Sequence, residues 1–121
     1  MSLNVRIEND VTILTPHGML IGGPETDELQ NKIVELDAAG NQHLLLNLGK
    51  TTFVSSMGLA ALFLAHAKYV RRGACVKICD VDRKIMQIFV LVKLALVYGD
   101  DLHDTEADAL AAFRLMIHPV V

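Results

Sequence analysis

This 121-residue chain has no long apolar run, no excess of basic charge and only two cysteines. No apolar run approaches the roughly 20 residues that a membrane-spanning helix needs, and residues 1–6 lack the basic and apolar regions of a signal peptide. The net charge of −3 is small and has the wrong sign for binding nucleic acid. We therefore expect a soluble, cytoplasmic protein with no nucleic-acid partner and no direct insertion into a membrane.

The two cysteines, Cys75 and Cys79, lie four residues apart in a predicted strand and so face the same side of it. About 13 Å of extended chain separates them, which is too far for a disulfide without a bend. We expect two reduced core thiols, as is usual in the cytoplasm. A metal site would need about four converging ligands, which the spacing of these cysteines and the five histidines does not supply. No metal and no other cofactor is therefore expected.

Apolar residues make up 52% of the chain and charged residues only 21%, an apolar-rich composition for a domain of this size. No repeat, linker or low-complexity segment interrupts it, so residues 1–121 are expected to form one domain. Two predicted helices carry apolar side chains on faces that turn partly away from the core: Ala60, Leu64, Met86 and Val90. Either both helices are broadly buried, or these residues form a partner-binding patch that a homodimer could also use.

The periodicity of apolar residues predicts an α/β fold in the order β-β-α-β-α-β-α-β-α. The predicted strands cover residues 4–7, 11–15, 43–48, 74–79 and 96–98. The predicted helices cover residues 24–38, 56–72, 83–94 and 106–117. Because strands and helices alternate after the opening hairpin, we expect a small mixed sheet of about five strands with about four helices packed on it.

Four residues mark the ends of the predicted helices. Gly40 and Gly73 follow the first two helices and can adopt the left-handed conformation that ends a helix. Asp82 and Thr105 precede the last two helices and are good N-cap residues. These signals place the helix boundaries independently of the apolar pattern.

The segment Phe53–Leu59 places two hydroxyl groups between an apolar strand and an apolar helix. A serine at such a junction meets the unpaired N–H groups and the positive dipole end of the helix. It can serve there as an N-cap, or it can carry a phosphate group that the helix end stabilises. The residues alone leave both roles open for Ser55 and Ser56.

This order of elements, with serines before the second long helix, resembles the STAS domain family. Within that family the chain is most similar to the small stand-alone anti-sigma factor antagonists of bacteria. The resemblance runs from about Val5 to Phe113. It is carried by Gly18-Met19-Leu20, Leu44-Leu45-Leu46-Asn47-Leu48, Phe53-Val54-Ser55-Ser56-Met57-Gly58-Leu59, Arg71-Arg72-Gly73 and Glu106-Ala107-Asp108-Ala109-Leu110.

The resemblance implies a binding switch without catalysis of its own. Such an antagonist binds an anti-sigma factor, often itself a serine kinase, and so frees a sigma factor; phosphorylation breaks the complex and a phosphatase restores it. The phosphorylated serine of the family corresponds to Ser56. The partner-binding loops correspond to Leu20, Ile21, Ser55, Ser56, Met57 and Gly58.

The chain departs from the family pattern at four places. Ser55 replaces the acid before the phosphorylated serine, Ile21 stands where an aspartate is common, and Met57 occupies a position that is usually small. Lys93-Leu94 replaces a common Gly-Leu at the end of the third helix. The predicted site is therefore less acidic and more apolar than is usual. This leaves open a constitutive interaction subunit of a signalling assembly or a lipid-transport complex, and, as another class, a small-ligand or nucleotide-binding module.

Catalysis is not expected. A hydrolase nucleophile elbow needs glycine two residues before the serine, where Val54 stands before Ser56. His66 lies on the apolar face of the second helix and is interpreted as a hydrogen-bonded packing residue. The remaining histidines are scattered among turns and the chain end, so no base is predicted beside either serine.

Overall fold

The computed structural model describes residues 3–119, which form seven strands, five α-helices and a 3₁₀ turn at Gly99–Asp101. The strands are β1 (Leu3–Glu8), β2 (Val11–Pro16), β3 (Gly18–Leu20), β4 (His43–Asn47), β5 (Thr51–Val54), β6 (Cys75–Cys79) and β7 (Leu102–His103). The helices are α1 (Pro24–Ala38), α2 (Ser56–Arg71), α3 (Arg83–Leu91), α4 (Leu94–Tyr98) and α5 (Glu106–Ile117).

The main sheet has five strands in the order β1-β2-β4-β6-β7. Strand β1 is antiparallel to β2, whereas β2, β4, β6 and β7 run parallel to one another. A two-residue turn joins β1 to β2, and both of its residues, Asn9 and Asp10, have positive φ angles, as a tight hairpin requires. The predicted mixed sheet of about five strands is confirmed.

Helices cover both faces of this sheet. On one face Leu44 and Leu46 of β4 pack with α1 to α4 in the larger core. On the other face Leu45 packs with Phe113 of α5 in a smaller core. Because β4 is buried on both faces, its sequence is a continuous apolar run rather than an alternating one.

A second, two-stranded parallel sheet is formed by β3 and β5. No strand was predicted at residues 18–20 or 51–54, so this sheet was missed. The strands have only three and four residues, and β5 reads buried, exposed, exposed, buried, with a register irregularity opposite Gly18 and Met19. Strands this short that do not alternate cleanly give too weak a signal to be predicted.

The prediction of a strand at Leu96–Tyr98 is wrong, because these residues belong to helix α4. Helix α3 also ends at Leu91 rather than near Leu94, and Lys93 separates the two helices with a φ angle of 67°. The Tyr98 hydroxyl is buried and donates a hydrogen bond to the carbonyl oxygen of Leu62 in α2, at 2.8 Å. A short apolar run fits a buried helix as well as a strand, and here packing against α2 decides the outcome. The fifth strand of the sheet is instead β7.

The four residues predicted to cap or end helices have those roles in the structure. Gly40 and Gly73 have φ angles of +81° and +76°. The Asp82 carboxylate accepts a hydrogen bond from the Lys84 amide, and the Thr105 hydroxyl accepts one from the Asp108 amide. These four helix ends therefore have the local capping geometry that their residue types predict.

Candidate protein-binding site at the start of helix α2

Ser55 is the residue that caps helix α2. Its hydroxyl oxygen accepts a hydrogen bond from the Met57 amide at 3.2 Å. Its own amide donates to the carbonyl oxygen of Leu20 at 3.0 Å, and its hydroxyl lies 3.4 Å from that same oxygen. Ser55 therefore ties the first turn of α2 to the end of β3.

Ser56 is the first residue of α2, and its side chain is exposed. The capping position is already occupied by Ser55, so the Ser56 hydroxyl stays at the surface beside the positive end of the helix dipole. The first turn of α2 contains no acidic residue. A negative group on Ser56 would thus meet a favourable helix end within its own chain.

Gly58 lets α2 lie directly on the small sheet. A Cβ atom at this position would overlap the Leu20 carbonyl oxygen, and it would stand 2.8 Å from Leu20 Cβ and 2.9 Å from Val54 Cγ1. Real Cβ atoms do not come this close to their neighbours, so any larger residue would push the helix off the sheet. Gly58 and Leu20 are both buried. Of the predicted partner-binding residues, these two shape the site from within.

Four large apolar side chains around Ser56 are each 44–59% exposed, and we call them the apolar patch: Met19, Ile21, Phe53 and Met57. Met19 of β3 is paired with Phe53 of β5, so both lie on the outer face of the small sheet. Met57 lies over Gly22, where a Cβ atom would stand 3.0 Å from Met57 Cγ. The structure thus brings the predicted Ile21 and Met57 together with Met19 and Phe53, which sequence reasoning did not assign to the site.

The two segments that carry the apolar patch contain no charged side chain. Residues 18–24 and 51–65 contain neither acidic nor basic side chains. Contiguous exposed apolar surface of this kind marks interaction sites on soluble proteins, and methionine adapts its shape to varied partners. The arrangement can bury an apolar partner surface, and it would lose that ability if a charge were placed at its centre.

The apolar side chains on the outer faces of α2 and α3 differ in their solvent exposure. Ala60, Leu64 and Val90 are exposed, whereas Met86 is partly buried against the larger core. The two helices are therefore not broadly buried. Of the two possibilities that the sequence left open, the structure favours surface-exposed apolar faces.

A second cluster of reactive side-chain types lies beneath α5, away from the serines. The buried Lys77 ammonium group is 2.8 Å from the Asp101 carboxylate, and the Cys75 sulfur is 3.6 Å from the same oxygen. Burial, followed by the nearby Asp101 charge, raises the pKa of the Cys75 thiol to about 11. The thiol is therefore protonated at neutral pH and is a poor nucleophile. Burial likewise raises the pKa of the Cys79 thiol, and both cysteines are unpaired.

The histidine interpretation is supported in part. The ring of His66 packs on the Tyr98 ring with centroids 4.9 Å apart, consistent with a packing role.

Within residues 3–119 no group of three or more histidine, cysteine, aspartate or glutamate side chains is placed to hold a metal ion. Over the same residues, no helix is both long and apolar enough to cross a membrane.

The STAS domain family model matches residues 2–109 of the chain. An anti-sigma factor antagonist from Mycobacterium paratuberculosis has a similar structure, with a TM-score of 0.81, 21% identity, and coverage of 93% of this chain and 92% of that one. The phosphorylated form of the Bacillus cell fate determinant SpoIIAA has a TM-score of 0.74 and 15% identity, covering 93% and 99%. The STAS domain of a SulP transporter from Vibrio cholerae has a TM-score of 0.72 and 18% identity, covering 95% and 89%. No curated protein sequence matches the chain.

Proposed function

This chain belongs to the STAS domain family, and from that premise we propose that it is an anti-sigma factor antagonist. It binds an anti-sigma factor of the serine-kinase type through the apolar patch and so frees a sigma factor. Phosphorylation of Ser56 by that kinase breaks the complex, and a phosphatase restores the binding form. The protein catalyses no step of this cycle.

The observation that carries the proposal is the division of roles between the two serines. Ser55 forms the cap of α2 and its links to Leu20, so Ser56 can be modified without removing a structural hydrogen bond of the helix start. Ser56 is exposed and adjoins Met57 of the apolar patch. SpoIIAA in its phosphorylated form has a similar fold. This similarity supports the proposal that the fold can accommodate a phosphate group.

The energetics of such a switch follow from the apolar patch beside Ser56, whose segments carry no charged side chain. A phosphate adds about −1.5 to −2 charges. Within the free protein it stands at a helix N-terminus, which stabilises it. In a complex the same charge would be buried against apolar surface at a cost of several kcal/mol. A loss of about 3 kcal/mol already weakens binding more than a hundredfold.

A second candidate function is a constitutive binding subunit of a signalling assembly or a lipid-transport complex. The observation that favours it is the apolar character of the site: Ser55 and Ile21 replace the acids of the family pattern. The likeness to a SulP transporter STAS domain extends the fold beyond antagonists. In this alternative the apolar patch binds its partner permanently and Ser56 is never modified.

Binding and phosphorylation assays distinguish the two functions. They use Ser56 variants together with the anti-sigma factor encoded nearest to this gene. For an antagonist, incubation with that kinase and ATP adds one phosphate, which mass spectrometry places on Ser56. Ser56→Asp then weakens binding at least about a hundredfold in calorimetry, while Ser56→Ala binds like the unmodified protein. The thermal midpoint of both variants stays close to that of the wild type, because Ser55 keeps the cap.

The matched control is Gln87→Glu, which adds one negative charge on an exposed position of α3. This variant should bind normally. Equal binding by Ser56→Asp and Ser56→Ala, with no phosphate transferred, would overturn the switch and favour the constitutive subunit. No binding of the wild-type protein to the anti-sigma factor would exclude the antagonist function.

A further inference from the structure

Strand β1 leaves one long edge of the main sheet open. It lies at the end of the strand order and is six residues long, whereas the strand at the opposite edge, β7, has two residues. Proteins usually protect an exposed edge with a bulge, a proline or a very short strand. The register of β1 on β2 is regular from Leu3 to Glu8, β1 contains no proline, and its two charged residues, Arg6 and Glu8, are paired with each other. Its outer edge is therefore able to accept another strand.

The hairpin decides which backbone groups face outward. Glu8 and Val11 close the two-residue turn, and such a turn closes on a hydrogen-bonded pair. The amide and carbonyl groups of the even-numbered residues of β1 therefore point at β2. Those of Leu3, Val5 and Ile7 point away from it, where no strand within residues 3–119 pairs with them.

The same three residues form an apolar stripe on one face of β1. They lie on the side of α1, because Val5 is paired with Leu14 of the larger core. Only Leu3 packs against that core, while Val5 is 44% and Ile7 is 75% exposed. A groove of about 520 Å³ runs between β1 and α1, with Leu3 and Val5 in its floor.

We propose that a second copy of this chain pairs with β1, antiparallel and centred on Val5, so that the two main sheets join into one. This register opposes Val5 to Val5 and Leu3 to Ile7 of the second copy. It satisfies all three outward amide and carbonyl pairs of each strand, giving about six new hydrogen bonds. It also places the apolar stripes of both copies side by side on one face.

Like-charge repulsion and strand geometry disfavour the two registers that lie closer to the turn. A shift of two residues toward the turn would set Arg6 directly against Arg6 of the second copy, which is unfavourable. A further shift would pair Val5 with Asn9, whose left-handed conformation breaks the strand. In the proposed register Arg6 faces the neutral Asn4. At the groove rim Lys32 and Glu35 form an ion pair within α1, 2.7 Å apart, so this pair presents no unpaired charge to a second copy.

The test is sedimentation velocity over a concentration series of the full chain. The wild type should populate a dimer. Ile7→Lys should raise the dimer dissociation constant at least about tenfold, since it places an ammonium group in the apolar stripe. The matched control is Leu91→Lys, because Leu91 is 80% exposed but lies in α3. Unchanged circular dichroism would show that both variants fold.

A cross-linking experiment tests the register itself. Two residues of a hydrogen-bonded antiparallel pair have Cα atoms about 5.5 Å apart, within the range of a disulfide. Val5→Cys should therefore give a reducible dimer on mild oxidation. Asn4→Cys should not, because Asn4 faces Arg6 rather than itself. A monomeric wild type at every soluble concentration, or a dimer broken by Leu91→Lys and not by Ile7→Lys, would overturn the proposal.

Discussion

Ser55 and Ser56 are neighbours in the chain but differ in their environments. Ser55 is half-buried and bonded to the backbone of both β3 and α2. Ser56 is exposed at the first position of the helix. Because a cap hydroxyl contributes about 0.5–2 kcal/mol to stability, a structural role and a regulatory role at one residue would conflict. Two adjacent serines remove that conflict.

The close packing of Gly58 against β3 and β5 makes this position sensitive to substitution. Gly58→Ala should lower the free energy of unfolding by about 1–3 kcal/mol, because the new methyl group overlaps Leu20 and Val54. This loss should appear although alanine is the better helix former by about 1 kcal/mol. Urea denaturation measures it.

Gly23→Ala is the control for this prediction. Gly23 precedes α1 with a φ angle of −91°, and a Cβ atom there would have its nearest contact at 3.8 Å. Its stability should change by less than that of Gly58→Ala. A Gly58→Ala protein as stable as the wild type would show that α2 can move away from the small sheet without cost.

The break between α3 and α4 is where the secondary structure differs most clearly from the prediction, which had one helix followed by a strand. Lys93 has a left-handed backbone conformation, with φ at 67° and ψ at 16°. The STAS pattern commonly has glycine at this point, and glycine adopts this conformation without strain. The substitution by lysine therefore keeps the backbone geometry and adds a local cost of about 1–2 kcal/mol.

Lys93→Gly should accordingly raise the free energy of unfolding by about 0.5–1 kcal/mol, because relief of that strain exceeds the added flexibility of the unfolded chain. Gln87→Gly is the comparison within an ordinary turn of α3, where glycine should cost about 1 kcal/mol. Chemical denaturation of both variants should show changes of opposite sign in the free energy of unfolding. A loss of stability in Lys93→Gly would contradict the strain at this position.

The main sheet has a hydrophobic core on each face. The only two tyrosines, Tyr69 and Tyr98, lie in the larger core, and the chain contains no tryptophan. Tyrosine fluorescence therefore reports one face of the sheet. Phe113 fills the other face and also packs against the His43 ring, with centroids 5.7 Å apart.

We expect the two faces to unfold together, because both cores contain side chains of the same strand, β4. Phe113→Ala should lower the free energy of unfolding by about 3–5 kcal/mol. The tyrosine fluorescence and the far-ultraviolet circular dichroism should shift to the same denaturant midpoint. Leu115→Ala, on the exposed side of α5, should change neither by much. Separate midpoints for the two probes would show that the faces fold independently.

The sequence by itself determined the features that depend on neighbours along the chain. The apolar run of β4, the glycines after α1 and α2, and the caps at Asp82 and Thr105 were all predictable, because their chemistry acts within a few residues. The mixed sheet followed from the order of these elements. The family resemblance also pointed to Ser56 and its neighbours as the candidate site.

Only the tertiary structure decided the features that depend on distant contacts. It paired β3 with β5 and so exposed Met19 and Phe53 beside Ser56. It also made Leu96–Tyr98 a helix through packing against α2, and it assigned the cap to Ser55 through the Leu20 carbonyl group. Each of these outcomes turns on contacts between residues about 35 positions apart. Local propensity is weak in such short segments, so the free energy of the long-range contact decides their structure.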